Sequence, residues 1–148
     1  MEITNDFEVA APPDEVFAFL LDPERVAPCL PGAELIGRRE DGSYDARMKI
    51  KLGLVSMGYQ GVMEIRDVDE AARRASMVVR GKEGRGQGTA EATMAMRVTP
   101  VGEGSRVHVS SDIAVTGKVA QMGAPVMRKV AEKMTAQLAA NVQKALAG

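Results

Sequence analysis

The feature that most constrains this fold is a long series of alternating segments that ends in one helical segment. Between residues 33 and 116, apolar side chains tend to recur at every second position, which is the periodicity of a strand with one buried face. The turns between segments are short enough for hairpins, so we predict antiparallel pairing. The predicted strands cover residues 33–40, 43–52, 57–67, 73–81, 88–99 and 106–116.

One more strand and two short helices are predicted before this series. Residues 2–10 alternate between apolar and polar side chains, as a half-buried strand does. Two prolines then open a helical stretch at a position where a missing N–H does no harm, and Asp22-Pro23 ends it. A second short helical turn is predicted over residues 24–27.

The spacing of apolar residues becomes helical from Lys118 to about Ala145. Pro125 lies inside this segment and lacks the N–H that would bond the carbonyl of Gln121, so we predict a kink or a loosened turn. Gly123 adds no bulk to the start of this helix. We therefore expect room for a ligand or for another backbone segment beside it.

This order of elements favours a single α+β domain over residues 1–148. Seven strands cannot all pack against one helix as a flat layer, but a strongly curved sheet can wrap around it. We predict a helix-grip fold, in which a curved seven-stranded antiparallel sheet surrounds a long C-terminal helix and two short helices follow the first strand. Such a fold leaves a cavity between the sheet and the helix.

Composition excludes several classes of protein. Nineteen basic residues nearly balance twenty acidic ones, so the net charge gives no reason to expect nucleic-acid binding. Apolar runs are too short to cross a membrane, and the N-terminus has no signal-peptide pattern. One cysteine and one histidine do not support a structural zinc site. We predict a cytoplasmic protein with no metal and no cofactor, either a monomer or a homodimer.

The predicted interior offers few polar groups. Tyr44, Tyr59 and Ser111 point inward, whereas His108 and Asp112 have the outward parity. No carboxylate pair and no nucleophile–base pair is predicted inside, so we predict no catalytic residue. The residues predicted to line the cavity are Leu30, Tyr44, Met48, Ile50, Tyr59, Met63, Ala92, Met94, Met96, Ser111, Ile113, Met122 and Val126.

The apolar composition of that interior has two interpretations. Ten methionines accompany only three phenylalanines and two tyrosines. Methionine fills irregular cores, and composition alone favours this packing role. Methionine also lines surfaces that adapt to variable ligands, because its side chain is flexible and polarizable.

Other features also have a structural and a functional interpretation. The sequence GKEGRGQG at residues 81–88 lacks the phosphate-loop pattern and is most simply a turn, with a lip at the cavity mouth as the alternative. Cys29 is most simply a buried thiol, because no base is in view. We place the Pro28–Gly32 segment near the open end of the sheet, where Leu30 gates the cavity.

Four lysines lie near a common stripe of the last helix. This stripe is most simply a solvated face, since it is diluted by alanine and glutamine, and contact with an anionic membrane surface is the weaker alternative. Its members are Lys118, Lys129, Lys133 and Lys144.

A series of short motifs, specific in this order, spans almost the whole chain. The most specific of them is Cys29-Leu30-Pro31-Gly32-Ala33. The others are Phe7-Glu8-Val9, Ala11-Pro12, Asp14-Glu15-Val16, Leu20-Leu21-Asp22-Pro23, Lys51-Leu52-Gly53, Tyr59-Gln60-Gly61, Gly86-Gln87-Gly88-Thr89-Ala90, Asp112-Ile113-Ala114-Val115-Thr116-Gly117-Lys118 and Ala120-Gln121-Met122-Gly123. In these motifs the chain resembles the family of the carbon monoxide dehydrogenase G subunit, within the START-like, SRPBCC helix-grip superfamily.

The resemblance implies a non-catalytic accessory protein of a molybdenum hydroxylase of the aerobic carbon monoxide dehydrogenase type. It further implies recruitment of that enzyme to the inner face of the cell membrane and transport of a respiratory quinone or another lipid. Many members carry a C-terminal tail that contacts the membrane, whereas this sequence stops at Gly148, directly after the predicted helix.

Three functional hypotheses remain open on the sequence. The first is a carrier of a lipophilic molecule, whose polar head bonds to Tyr44, Tyr59 or Ser111. The second is an enzyme of the same superfamily, such as a cyclase or a hydratase, which requires an inward acid or base. The third is an assembly or docking factor with a collapsed cavity.

Overall fold

The strands form one antiparallel sheet in the order β1-β7-β6-β5-β4-β3-β2. The computed structural model describes residues 1–147. Consecutive strands from β2 to β7 pair as hairpins, and β1 pairs with β7, so the predicted fold class is confirmed. The strands are β1 (Glu2–Val9), β2 (Ala33–Arg38), β3 (Tyr44–Leu52), β4 (Val55–Asp69), β5 (Arg74–Glu83), β6 (Thr89–Val101) and β7 (Gly104–Val115).

Two short helices link β1 to β2, as predicted, and two helices follow β7. Proline stands at the start of both α1 and α2, where its fixed φ suits the first helical turn. The side chain of Asp22 caps α2 by accepting a 3.1 Å hydrogen bond from the Glu24 amide. The helices are α1 (Pro13–Leu20), α2 (Pro23–Val26), a 3₁₀ turn (Ala27–Cys29), α3 (Lys118–Gln121) and α4 (Ala124–Ala147).

The last helical segment is broken rather than kinked. Gly123 has a φ of +87°, a left-handed conformation that ends α3 and lets α4 start in a new direction. Pro125 then lies in the first turn of α4, where its missing N–H costs no helical hydrogen bond. The segment is thus interrupted close to Pro125, as the expected kink or loosened turn implies, but the break lies at the flexible Gly123 and separates two helices.

One core cluster lies at the end of the molecule that contains α1 and the C-terminal half of α4. We call it the closed-end core. Ser105 ties the chain together there by donating a 2.7 Å hydrogen bond from its buried hydroxyl to the Ala11 carbonyl. The buried members of this core are Val9, Ala11, Val16, Phe17, Phe19, Cys29, Ala75, Val98, Val107 and Val142.

A second, smaller core cluster lies at the other end of α4. We call it the mouth cluster, and its buried members are Met57, Tyr59 and Val119. It is bordered by three connections, which we call the mouth loops: residues 53–54, 84–88 and 116–123. The partly buried residues that pack against it are Ile50, Leu52, Val55, Ala90, Val115 and Met127.

Candidate functional site

The inner face of the sheet between the two core clusters carries most of the predicted cavity residues. Directly paired residues of antiparallel strands share a face, and the register runs Tyr44, Met63, Val79, Ala92, Ile113 across five strands. A parallel row runs Met77, Met94, Ser111, Ile3. The sheet therefore brings six of the predicted residues together on one concave surface, where Val79, Met77 and Ile3, which were not predicted, lie beside them.

Many residues of this surface face α4 without being sealed by it. Met94 and Ile113 on the sheet remain half-buried, and so do Val130 and Met134 on α4. None of these four belongs to either core cluster of the described chain. Because a packed core leaves such residues inaccessible, their partial exposure shows that the sheet and the first half of α4 are packed less completely than either core cluster. We call the region between them the groove.

Tyr59 provides the main polar group at one end of this groove. The residue is only 7% exposed, and among the described residues its buried hydroxyl has no hydrogen-bond partner. Leaving a buried hydroxyl unpaired costs about 1–3 kcal/mol. Burial, together with the nearby negative charge of Glu83, raises the pKa of Tyr59, so the hydroxyl keeps its proton and remains a donor.

Glu83 is an inward-facing acid that the sequence pattern did not reveal. It ends β5 opposite Tyr59 and its side chain is buried. Its carboxylate accepts hydrogen bonds from the amides of Gly58 (3.3 Å), Arg85 (2.6 Å) and Gln87 (3.3 Å). Burial alone raises the pKa of this carboxyl, but the three amides and the Arg85 guanidinium outweigh burial and lower it overall. Glu83 thus stays ionised and fixes the mouth loop at residues 84–88.

Because the sequence predicts a turn over residues 81–88, it does not predict an inward-facing acid at position 83. The alternating pattern of β5 continues through Gly81 and Glu83, so the strand is two residues longer than predicted. The sequence contains a second indication that this residue is unusual, because Glu83 is the only acidic residue in the GKEGRGQG stretch. The rest of that stretch connects β5 to β6, as the simpler interpretation expects, and a role as a lip of the cavity stays a prediction.

A row of small residues crosses the inner face beside Tyr59. The register pairs Ala46 with Gly61, Gly61 with Gly81, Gly81 with Ala90 and Ala90 with Val115. A Cβ on Gly61 would collide with the Arg80 carbonyl, so the close approach of β4 and β5 requires glycine there. The row leaves a shallow channel between the larger side chains of Tyr59 and Met63.

An open depression of about 520 Å³ lies outside the mouth cluster. It is lined by residues from two mouth loops, among them Gln87, Thr116, Lys118 and Gln121. The Lys118 amide donates a 2.9 Å hydrogen bond to the Gln87 carbonyl and joins the two loops. The depression is polar and lies next to Val119, which belongs to the mouth cluster.

The remaining predicted site residues are distributed along the groove. Ile50 packs on the mouth cluster, whereas Met96 packs on the closed-end core. Met48 pairs with Tyr59 across β3 and β4. Met122 caps α3 and Val126 lies in the first turn of α4, and both are half-buried. Their role in binding stays a prediction.

Tyr44 lies away from Tyr59, toward the far end of the sheet. The Arg38 guanidinium sits over its ring, with the central carbon 5.9 Å from the ring centroid. Such a contact between a cation and an aromatic face helps to orient the ring. Of the two tyrosines, only Tyr59 has a fully buried hydroxyl without a partner in residues 1–147.

Cys29 itself lies at the closed end. The other end of its segment reaches β3, where the Gly32 carbonyl accepts a 2.9 Å hydrogen bond from the Lys49 amide, so the expected position of Leu30 at the cavity opening stays a prediction. Cys29 is part of the closed-end core, and its carbonyl accepts a 2.9 Å hydrogen bond from the Asn141 side chain in the second half of α4. The reason is that the short helices fold back onto the C-terminal half of α4. Burial raises the pKa of the Cys29 thiol, which opposes thiolate chemistry.

His108 and Asp112 lie on the outer face, as predicted. The Nδ1 atom of His108 is 2.6 Å from an Asp6 carboxylate oxygen, and Asp112 is 3.4 Å from the amino terminus. Within residues 1–147, no three histidine, cysteine or acidic side chains are grouped so that they could hold a metal ion. The four lysines of the last helical segment are exposed.

Comparison with known families identifies the chain. The family model for the G subunit of carbon monoxide dehydrogenase (CoxG) matches residues 6–147. The chain belongs to this family. No curated protein shows significant similarity to the sequence. The motifs between Phe7 and Gly123 therefore pointed to the correct family.

Solved structures show the same fold as this CoxG family member. A conserved protein from Geobacillus kaustophilus superposes with a TM-score of 0.87 at 25% identity and covers 99% of this chain and 95% of its own. A START superfamily protein from Mycobacterium smegmatis gives a TM-score of 0.65 at 16% identity, covering 98% of this chain and 96% of its own. The Zhui aromatase/cyclase from Streptomyces sp. R1128 gives 0.64 at 15% identity, covering 99% and 93%. These likenesses establish the START-like helix-grip fold.

In residues 1–147, no helix combines the length and the apolar character needed to cross a membrane. The 24-residue α4 is long enough, but lysine, arginine and glutamate interrupt its sequence.

Proposed function

We propose that this chain is a non-catalytic accessory protein that binds a lipophilic molecule between its sheet and α4. Family and fold together support a ligand-binding accessory protein. The finer proposal is that it serves a molybdenum hydroxylase of the aerobic carbon monoxide dehydrogenase type. In that role it binds a respiratory quinone or a similar lipid and helps to couple the enzyme to the membrane from the cytoplasmic side.

The observation that carries the proposal is the unpaired hydroxyl of Tyr59 at the end of an unsealed groove. A buried donor without a partner is costly, and a ligand with a carbonyl oxygen would satisfy it. The groove beyond it is lined by flexible methionines and by alanines, which suit a long, conformationally variable hydrocarbon chain. The ligand class is therefore an apolar tail with a neutral hydrogen-bond acceptor at its head.

The negative charge near Tyr59 further restricts the class of ligand. Glu83 is ionised and lies opposite Tyr59 in the strand register, so a carboxylate or phosphate head placed there would be repelled. A quinone carbonyl is an uncharged acceptor and matches the site. A fatty acid with its carboxylate at Tyr59 does not.

The central experiment compares the protein with its Tyr59→Phe variant. Native mass spectrometry of the purified protein should show a lipophilic adduct, and a short-chain quinone should raise the melting temperature. Removing the hydroxyl should weaken quinone binding about 3- to 10-fold, the loss expected for one hydrogen bond. The unliganded variant should be at least as stable, because it no longer buries an unpaired group.

Tyr44→Phe is the matched control, since it removes the same atom from a tyrosine that is not an unpaired buried donor. It should leave quinone affinity unchanged. No adduct, no thermal shift and equal behaviour of both variants would favour a docking factor with an empty or collapsed interior.

An enzyme of the cyclase or hydratase type is the second candidate. The inward Glu83 next to Tyr59 favours it, and one structure with this fold is an aromatase/cyclase. However, three amides and Arg85 occupy the carboxylate of Glu83, which leaves a poor general acid. Turnover of a polyketide or hydratable substrate that is lost in Glu83→Gln, with the fold intact, would favour this candidate over a carrier.

A further inference from the structure

Gly81 is a glycine on the inner face of the sheet that the backbone does not require. It lies inside β5, and its φ is outside the left-handed region that favours glycine. A Cβ atom on it would lie 3.4 Å from the Gln60 carbonyl oxygen and 3.6 Å from the Tyr59 Cβ, which are ordinary contact distances. Glycine inside a strand weakens the strand, because it loses more backbone entropy and brings no side chain to pack. The fold therefore does not explain the glycine at position 81.

Other glycines of this region are required by close approaches of the backbone. A Cβ on Gly61 would collide with the backbone of β5, and a Cβ on Gly88 or Gly117 would collide with the backbone of the facing mouth loop. Gly81 pairs with Gly61 on one side and with Ala90 on the other. The shallow channel beside Tyr59 therefore spans two neighbouring strands, although the backbone demands glycine on only one of them.

The shape of this channel suits a flat ring. Tyr59 and Met63 bound it on β4, four residues apart and so about 13 Å from each other along the strand. Between them, the peptide groups of Gly61 and Gly81 are not covered by side chains of their own and form a floor about 4.8 Å wide from strand to strand. A planar ring can rest on this floor, whereas a tetrahedral head group makes few contacts with it.

Tyr59 places a hydrogen-bond donor beside the floor. Its Cβ lies 3.6 Å from the position that a Gly81 Cβ would take, and its buried hydroxyl has no partner within residues 1–147. A carbonyl on a conjugated ring lies in the plane of the ring, and its oxygen prefers a donor near that plane. Since Tyr59 stands on the same face of the sheet as Gly81, it can reach such an oxygen at the edge of a ring that rests on the floor.

We propose that Gly81 determines the ligand specificity of the groove, because its missing side chain admits a flat conjugated ring with a carbonyl at its edge. This inference rests on the proposed function and assigns the head of the ligand to one place. The ring lies on Gly61 and Gly81, its carbonyl oxygen accepts from Tyr59, and the apolar tail runs along the half-buried Met77 and Met94. Lipids with an alcohol or ester head and no ring gain nothing from the channel.

Two probes with the same tail separate the ring from the tail. Geranyl-benzoquinone carries a geranyl chain on a flat ring with two carbonyls, and geraniol is the same chain with a hydroxyl in place of the ring. Isothermal titration of the original chain should show binding of both, with the ring-bearing probe bound more tightly. Gly81→Ala should weaken binding of geranyl-benzoquinone at least about 10-fold, because its methyl group occupies the floor, and should leave the affinity for geraniol unchanged.

Gly58→Ala is the matched control. Gly58 lies on the outer face of the adjacent strand, and apart from its chain neighbours no atom lies within 4 Å of the position of a Cβ there. Neither Gly58 nor Gly81 has a left-handed φ, so neither substitution should lower the melting temperature of the unliganded protein. Gly58→Ala should bind both probes like the original chain.

The possible results separate this inference from the proposed function. If neither probe binds the original chain, both are wrong. If both probes bind but Gly81→Ala weakens them equally, or weakens neither, the proposed function stands and Gly81 does not determine specificity. A clear drop in the melting temperature of Gly81→Ala would also overturn the inference, because the fold would then require this glycine.

Discussion

The two halves of α4 differ in how completely the protein covers them. In the C-terminal half, Val142 is fully buried in the closed-end core, and the side chains of Asn141 and Gln143 bond the backbone at Cys29 and Ala10. In the N-terminal half, Val130 and Met134 stay half-buried and belong to neither core cluster. One helix therefore supports the fold at one end and is packed less completely at the other.

This difference shows that the same apolar periodicity can serve two purposes. Burial against α1 and β1 stabilises the closed end, because several elements contribute side chains to one core. The first half of α4 meets a concave sheet whose central row consists of glycine and alanine. That half gains less from packing, and the space it leaves is available to a ligand.

The largest effect is expected from matched truncations in the two halves. Val142→Ala should lower the free energy of unfolding by about 2 kcal/mol, because it removes two methyl groups from a closed core. Val130→Ala should cost less than about 0.5 kcal/mol, since its side chain is only partly buried. Urea unfolding followed by circular dichroism measures both. Equal losses would mean that the groove is packed as tightly as the closed end.

The second prediction concerns a substitution that fills the space between the sheet and α4. Ala92→Leu adds bulk on the inner face between the two clusters and should weaken quinone binding at least about 10-fold without destabilising the unliganded protein. Isothermal titration and thermal melting measure the two effects.

Ala95→Leu places the same bulk on the exposed outer face and should leave ligand affinity unchanged. If Ala92→Leu unfolds the protein, the groove has no free space. The inner face is a better place for this test than Gly123, whose φ of +87° would strain any other residue.

A smaller effect is expected from the side-chain hydrogen bonds of the C-terminal half of α4. Asn141→Ala should cost about 1 kcal/mol, because it removes the hydrogen bond to the partly buried Cys29 carbonyl. Gln121→Ala, at the polar depression outside the mouth, should cost nothing measurable. The midpoints of denaturant unfolding, fitted with the same slope for both variants, measure the two losses of stability. A greater loss in Gln121→Ala than in Asn141→Ala would contradict this prediction.

The smallest effect concerns pH and is confined to the mouth. The native pKa of Glu83 is depressed, so its ionised form contributes stability that is fully present above the ordinary value near 4.5 and is lost as the pH falls through the lower native pKa. Amide resonances of Gly58, Arg85 and Gln87 should titrate together below pH 4.5, while those around Val142 stay unchanged. In the Glu83→Gln variant, this titration of the three amide resonances should disappear. If it persisted, another ionisable group would be its cause.

The sequence was a good guide to the sheet because alternation is a local property. The inward residues of β4, β6 and β7 were predicted with the correct parity, since successive side chains of a strand must point to opposite faces. His108 and Asp112 were placed outside by the same argument. The methionines of the groove followed from parity alone, without any knowledge of packing.

The errors occurred where the answer depends on distant parts of the chain. Pro125 predicted a kink or a loosened turn, but the break lies at Gly123, which separates α3 from α4 and makes the proline an initiating residue. The glycines around Glu83 predicted a loop, yet Glu83 ends β5 and its carboxylate accepts a hydrogen bond from the amide of Gly58, 25 residues earlier in the chain. Neither outcome is determined by the residues immediately beside the position.

The sequence by itself determined the strands, the long C-terminal helical segment and the family, because periodicity and short motifs are carried by neighbouring residues. Only the tertiary structure decided which half of α4 is sealed, and that Tyr59 lacks a partner among the described residues. Those features depend on how far a curved sheet stands from a helix, and that distance results from all the strands packing together.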